Sequence, residues 1–356
     1  MKHGILSLQV LLLLSSICYS IQTQYTSIFS FGNSYTDTGN LVIVSGGPAT
    51  PGLVIAKPPY GMTFFGHPTG RLSDGRLAID FIAEALGLPL LPPSMATNQS
   101  FVQGANFAVA GATVLNRTFF VQDGDVAVSP YNISLSYQLG WFDAMKPSLC
   151  SSPQACKEYL SKALFVVGEL GWNDYGLMLL AGKSIGVVQS HVPEIVGKIC
   201  AATEKLIGEG ARTVVVSGIT PLGCAPANQA LLANQTGAER EADTGCLREL
   251  NLVSKEHNLQ LRRALMRLRA GARVIYADMY APIVDFARSP GRFGFDGADG
   301  SGGGPYNFNL SAACGTPGVS ACGNVSAYVN WDGVPAHRPR LALGPLRAPA
   351  HSRRHR

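Results

Sequence analysis

Charged side chains are scarce in this sequence. Asp, Glu, Lys and Arg make up 14% of the 356 residues, so surface solubility must lean on Ser, Thr, Asn, Gln and attached sugar. Basic charge is also confined. Of the 28 Lys and Arg residues, six are arginines between Arg338 and Arg356, and without that tail the balance is close to neutral. No basic patch interleaved with aromatics remains, which argues against a nucleic-acid partner. No stretch after the first twenty residues approaches 18 apolar positions, so an integral membrane span in the mature chain is not expected. No Cys-x-x-Cys or clustered Cys/His spacing appears, and this argues against zinc or another bound metal. Gly302 to Gly304 is not followed by Lys-Ser/Thr and does not follow a strand pattern, so it reads as a loop, not a phosphate cradle. No cofactor is expected.

Hydrophobic residues, by contrast, make up 46% of the chain, enough for one large core without an internal linker or repeat. Lys2 and His3 precede an apolar run from Ile5 to Leu14, and Cys18-Tyr19-Ser20 supplies small residues for cleavage. Residues 1–20 therefore read as a signal peptide, the run being too short to span about 30 Å of hydrocarbon. Export agrees with six Asn-x-Ser/Thr acceptor sites, at Asn98, Asn116, Asn132, Asn234, Asn309 and Asn324. It agrees too with the cysteines that remain once Cys18 is removed. Cys150 with Cys156, Cys224 with Cys246, and Cys314 with Cys322 can close short loops, leaving Cys200 over. Several of these could equally be buried thiols. The reading is a secreted glycoprotein, monomeric and soluble.

Short apolar runs alternate with helical patterns. Ser27 to Phe31, Leu164 to Val167, Thr213 to Ser217 and Val274 to Ala277 read as buried strands. Ser73 to Gly87 reads as a helix with Leu77, Phe81, Ile82 and Leu86 on one face, started by Ser73/Asp74 and stopped by Gly87. Val192, Ile195, Val196, Ile199, Leu206 and Ile207 form a second stripe. Leu250, Val253, His257, Leu261, Leu265 and Leu268 form a third. His257, within that stripe, reads as a core or boundary residue. The alternation predicts an α/β class fold, a single-domain α/β/α sandwich with a mostly parallel central sheet. Ligands of such sheets gather at the carboxyl ends of the strands.

At the end of the first strand stands Gly32-Asn33-Ser34-Tyr35-Thr36-Asp37-Thr38-Gly39-Asn40. A serine placed there can project its hydroxyl into a cleft beside backbone N–H groups, although a polar turn would look the same. A hydroxyl becomes a nucleophile only when a base takes its proton, so a histidine and an orienting acid must come from elsewhere. The segment Phe31 to Asn40 resembles the first block of the plant-type GDSL esterase/lipases, members of the SGNH hydrolases. Asn106-Phe107-Ala108-Val109-Ala110-Gly111-Ala112 resembles their second block, Gly171-Trp172-Asn173-Asp174 the third, and Trp331-Asp332-Gly333-Val334 the start of the last. The likeness runs from about Ser27 to Val334 and includes Gly70 to Arg76 and Pro221-Leu222-Gly223-Cys224. It implies an acyl-enzyme mechanism on carboxylic esters, with Ser34 as nucleophile and Asp332 as triad acid. The oxyanion hole it implies is built from the Ser34 N–H, the Gly111 N–H and the Asn173 side-chain amide.

Two departures stand out. The family usually has Asp before the nucleophile, and this chain has Asn33. The family places its catalytic histidine three residues after the aspartate, where this chain has Pro335; the nearest histidine is His337. Misplacement by about 1 Å already costs on the order of 100-fold in rate, so His337 is a doubtful base. The tail from 335 to 356 is rich in Arg, Pro and Ala, contains no acid, and reads as an atypical segment replacing the family's C-terminal one. The hydrolase domain expected is 21–334. A rival nucleophile elbow, Gly-x-Ser-x-Gly, occurs at Gly182-Lys183-Ser184-Ile185-Gly186, and a rival function is a catalytically dead glycoprotein that keeps the fold.

Overall fold

The computed structural model describes residues 25–122, 133–232, 239–268, 271–299, 314 and 323–332. Five strands form its central sheet: β1 (Ser27–Phe31), β2 (Gly104–Asn106), β3 (Ala163–Val167), β4 (Thr213–Ser217) and β5 (Arg273–Ala277). Every pairing is parallel and the spatial order is β2-β1-β3-β4-β5. The four strands read from sequence are all present. The fifth, β2, has three residues, Gly-Ala-Asn, and is too short and polar to announce itself by periodicity.

Strand alternation sorts the core into two layers. Phe29, Phe31, Phe165, Val167, Val214 and Val216 face one side, where Phe142 meets the Phe29 ring at 5.5 Å and the Phe31 ring at 5.8 Å. Phe142 belongs to α1 (Leu135–Leu149). The same layer receives α2 (Trp172–Leu180), α3 (Val192–Gly208) and α4 (Arg248–Leu265). The second apolar stripe lies on α3 and the third on α4 as far as Leu265, with Leu268 beyond the helix end, and His257 is fully buried among them. On the other side of the sheet Ile28, Leu164 and Val166 pack under Leu77, Ile79 and Ala83.

That second layer corrects one expectation. The helix read over Ser73 to Gly87 spans only Ala78–Ala85. Ser73 does not cap it; its hydroxyl accepts from the Gly75 N–H at 3.1 Å and donates to the Arg76 carbonyl at 3.2 Å, closing a turn of its own. The helix starts one turn later, where Asp80 Oδ2 accepts from the Leu77 N–H at 2.8 Å. Its buried face carries Ile79 and Ala83 with Leu77. Phe81 lies half-buried, 4.0 Å from the Arg76 guanidinium. Gly87 does end the segment, at φ +67, as the Leu88 N–H returns to the Ala83 carbonyl.

Two of the three cysteine pairs are disulfides, Cys150–Cys156 and Cys224–Cys246. Cys200 is buried and unbridged, its thiol pushed up to about 11 by burial. Cys314 Sγ lies 3.2 Å from the Trp331 carbonyl, and Cys322 is outside the described residues. A small parallel pair, β6 (Gly297–Asp299) with β7 (Tyr328–Asn330), sits apart from the main sheet and delivers Trp331 and Asp332. No helix among the described residues is long and apolar enough to cross a membrane.

Candidate active site

Strand order 2-1-3-4-5 reverses direction between β1 and β3, and crevices in open parallel sheets form at such points. The loops leaving β1 and β3 are the ones that carry Ser34 and Asn173. After β1, Gly32 adopts φ +151, and a Cβ there would lie 2.6 Å from Thr36 Oγ1, so glycine is required. Gln138 of α1 holds both polar groups of Gly32, accepting from its N–H at 2.8 Å and donating to its carbonyl at 2.7 Å. The Asn33 carbonyl then accepts from the Thr36 and Asp37 N–H groups, and Asn33 Oδ1 accepts from the Tyr35 N–H at 3.1 Å. Ser34 sits inside this closed turn, 7% exposed.

The segment after β2 runs on beside β1. Phe107 N–H donates to the Ser30 carbonyl at 2.7 Å and Val109 N–H to the Gly32 carbonyl at 3.2 Å. Asn40 Nδ2 holds the carbonyls of Asn106 and Ala108, and the Asn106 amide reaches the Thr36 carbonyl. The segment leaves the sheet at Gly111, whose φ of +83 few side chains tolerate. Among the described residues, no hydrogen bond takes up the N–H of Ser34 or of Gly111.

After β3, Gly168-Glu169-Leu170-Gly171 leads into α2. Asn173 is the second residue of that helix, and its Nδ2 donates to the Ala112 carbonyl at 2.8 Å. One amide hydrogen thus holds the Gly111 segment and the other is left for another acceptor. Asp174, fully buried, accepts from the Val114 N–H at 2.9 Å and the Leu115 N–H at 2.8 Å. Asp37 accepts from Gly39, Asn40 and Leu41 N–H groups and, across to the second segment, from the Ala110 N–H at 2.8 Å. Burial pushes these carboxyls up, Asp37 to about 6 and Asp174 to about 7, against the pull of the N–H groups they accept from.

Asp332 follows β7. The Tyr60 hydroxyl donates to its Oδ2 at 3.2 Å, and the Tyr60 ring packs on Trp331 with centroids 4.9 Å apart. Burial first, then the Asp332 charge, holds the Tyr60 phenol well above its usual range. Burial likewise raises Tyr35, with the charges of Glu169 and Asp332 adding to it, so Asp332 acts on the residue next to Ser34. The structure therefore gathers Ser34, Gly111, Asn173 and Asp332 at one end of the sheet.

The remaining sequence candidates fall elsewhere. His337 and the tail lie outside the described residues, as do the leader, Gly302 to Gly304, Asn132, Asn234 and Asn309. Asn98, Asn116 and Asn324 are described, and all three are exposed. Ser184 follows helix α2, not a strand, and its hydroxyl accepts from the Val187 N–H as the N-cap of Ile185–Ser190. That setting excludes the rival elbow, which needs a strand-turn-helix. His257 Nδ1 meets the Tyr175 hydroxyl at 2.8 Å inside the core, and burial lowers its pKa to about 3. Tyr60, Asp37, Asp174 and Glu169 are held by distant partners and carry no local sequence pattern that marks a site. Glu169 alone has a faint one, as the one charge in the apolar run Leu164 to Leu170.

A fully parallel α/β sandwich with a serine turn at its switch point is the architecture of the SGNH hydrolases. The profile of the GDSL-like lipase/acylhydrolases matches residues 28–337. A GDSL esterase/lipase of Arabidopsis thaliana is 44% identical over 324 residues, covering 87% of this chain and 86% of its own length. A second from the same plant is 43% identical over 342 residues, covering 94% and 86%. A sinapine esterase of Brassica napus is 42% identical over 340 residues, covering 92% and 86%. The chain belongs to the GDSL esterase/lipase family, whose activity is carboxylic ester hydrolysis.

Proposed function

We propose that this chain is a secreted, monomeric serine ester hydrolase whose general-base step is impaired. Ser34 Oγ attacks the ester carbonyl, and the Ser34 N–H, Gly111 N–H and second Asn173 amide hydrogen receive the oxyanion. Each such donor is worth roughly 3 kcal/mol of barrier. The observation that carries the reading is the convergence of the Ser34 turn, the Gly111 segment and Asn173, with Trp331, next to Asp332, packed in one cluster with Ala110 and Ala112. The impairment follows from Pro335 standing where the family has its histidine. The same substitution favours a second reading, a secreted glycoprotein without turnover. Incubation with p-nitrophenyl acetate beside a Ser34→Ala control separates the two: Ser34-dependent turnover supports the first, identical rates the second. A panel including a sinapine-type phenolic ester is warranted by one relative's name. Export rests on the leader, and on Asn98, Asn116 and Asn324 being exposed. Mature protein should begin near Ile21 and lose mass on deglycosylation; an intact, sugar-free Met1 product refutes export.

A further inference from the structure

We propose that Asp37 and Asp174 are positioning residues that strap the two ends of the segment Ala110–Leu115 and so aim the Gly111 N–H. This rests on reading Gly111 as an oxyanion donor. The segment carries no helix, and backbone acceptors serve only its middle, where the Ala112 N–H meets the Val109 carbonyl and a parallel bridge ties Thr113 to Ser134; the buried amides of Ala110, Val114 and Leu115 need acceptors from elsewhere. Asp37 Oδ2 takes the Ala110 N–H at 2.8 Å, one residue before Gly111. Asp174 takes the Val114 and Leu115 N–H groups, three and four residues after it. Between them Asn173 Nδ2 holds the Ala112 carbonyl at 2.8 Å. The two acids also stand next to the other donors in the chain. Asp37 is three residues after Ser34, in the same turn, and Asp174 directly follows Asn173. Each strap thus ties one donor-bearing loop to the Gly111 segment.

Neutral side chains could accept the same hydrogen bonds at less cost of burial. Both residues are fully buried carboxyls nonetheless. Among the described residues their hydrogen-bond partners are all N–H donors, which favours the ionised form: Gly39, Asn40, Leu41 and Ala110 for Asp37, Val114 and Leu115 for Asp174. Charge-assisted bonds are shorter and stiffer than neutral ones, and sub-ångström aim is what an oxyanion donor needs. Protonation would turn an O–H toward an N–H and loosen the strap. The other titratable groups near Asp174 are Tyr175, Glu169 and, on α3, Glu194. Asp37 faces backbone N–H groups.

The test is hydrogen exchange of peptides covering 109–115 in the full chain, in Asp37→Asn and Asp174→Asn variants. Exchange there should accelerate on the order of tenfold or more, while peptides of β3 and β4 stay protected. In the unmodified chain, the protection factor of the same peptides, corrected for intrinsic rate, should fall as pH drops from 8 to 5. Where Ser34-dependent p-nitrophenyl acetate turnover is present, the variants should lose on the order of tenfold in kcat with KM within about twofold. Absence of turnover bears on the proposed function alone. Unchanged protection at 109–115 in folded variants, or across pH in the unmodified chain, overturns the strap.

Discussion

The side-chain amide of Asn33 donates to Glu169 Oε2 at 2.5 Å, joining the residue before Ser34 to a carboxyl that is 1% exposed. The Thr220 N–H reaches the other oxygen, Oε1, at 3.4 Å. Burial is the main cause that pushes Glu169 up to about 8; the Asn33 and Thr220 bonds pull it down and Asp174 adds to the rise. Asn33, the first departure from the family pattern, is therefore matched by a neighbour that suits an amide.

Linkage gives this pair a testable sign. A carboxyl at about 8 in the fold and near 4.5 in the unfolded chain contributes stability that is full below 4.5 and lost as pH rises to 8. Glu169→Gln keeps an acceptor for Asn33 and removes the proton. Its stability relative to the parent should grow between pH 5 and pH 8, by roughly 1 kcal/mol or more, in urea titrations. Asn33→Asp should do the reverse. It restores the family residue yet sets two buried carboxyls in contact, which must share a proton. Parallel pH curves for parent and both variants would dispose of the argument.

What could be read beforehand divides along physical lines. Apolar periodicity is a property of local sequence, and it located β1, β3, β4, β5 and the stripes of α3 and α4 to within a residue or two. It failed at β2, where Gly104–Asn106 is held by pairing with Ile28 to Ser30 and not by its own composition. It failed at Ser73, whose hydroxyl serves a turn. The proposed donors Ser34, Gly111 and Asn173 were named because ordered blocks resemble a family. Asp37, Asp174 and Tyr60 were not, because their meaning lies in partners 73, 60 and 272 residues away.

His257 yields a prediction of opposite slope. Its pKa of about 3 in the fold lies below the ordinary 6.5, so the unfolded chain takes up a proton first. The stability this represents is complete above 6.5 and drains away as pH falls toward 3, at up to about 1.4 kcal/mol per pH unit. His257→Leu should flatten that loss: the difference in stability, variant minus parent, should rise on acidification below 6.5. A difference independent of pH would mean that His257 takes up its proton as readily in the fold as in the unfolded chain.

Labelling discriminates between the two serines. A serine-directed fluorophosphonate should modify Ser34, however slowly, because the Ser34 turn faces the Gly111 segment and Asn173. Ser184 caps a helix and has no comparable donors, so peptide mapping should find it unmodified. Labelling confined to Ser184 would reject the assignment.

The C-terminal departure allows the most direct reconstruction. Tyr60 already holds Asp332 Oδ2, so the proposed acid has a fixed partner without a histidine three residues on. Loss of a triad base alone removes most of the rate, leaving what the oxyanion hole and binding supply. Replacing residues 335–356 with a GDSL relative's Asp-x-x-His segment should therefore raise Ser34-dependent esterase activity at least ~10³-fold. His337→Ala in the unaltered chain should change kcat/KM by less than about twofold, because a base two residues out of place contributes little. Tyr60→Phe in the reconstructed protein should lower kcat by a few-fold, as Asp332 loses one of its partners. If His337→Ala instead abolishes a robust activity of the unaltered chain, the shifted imidazole is the working base and the impaired-site reading fails.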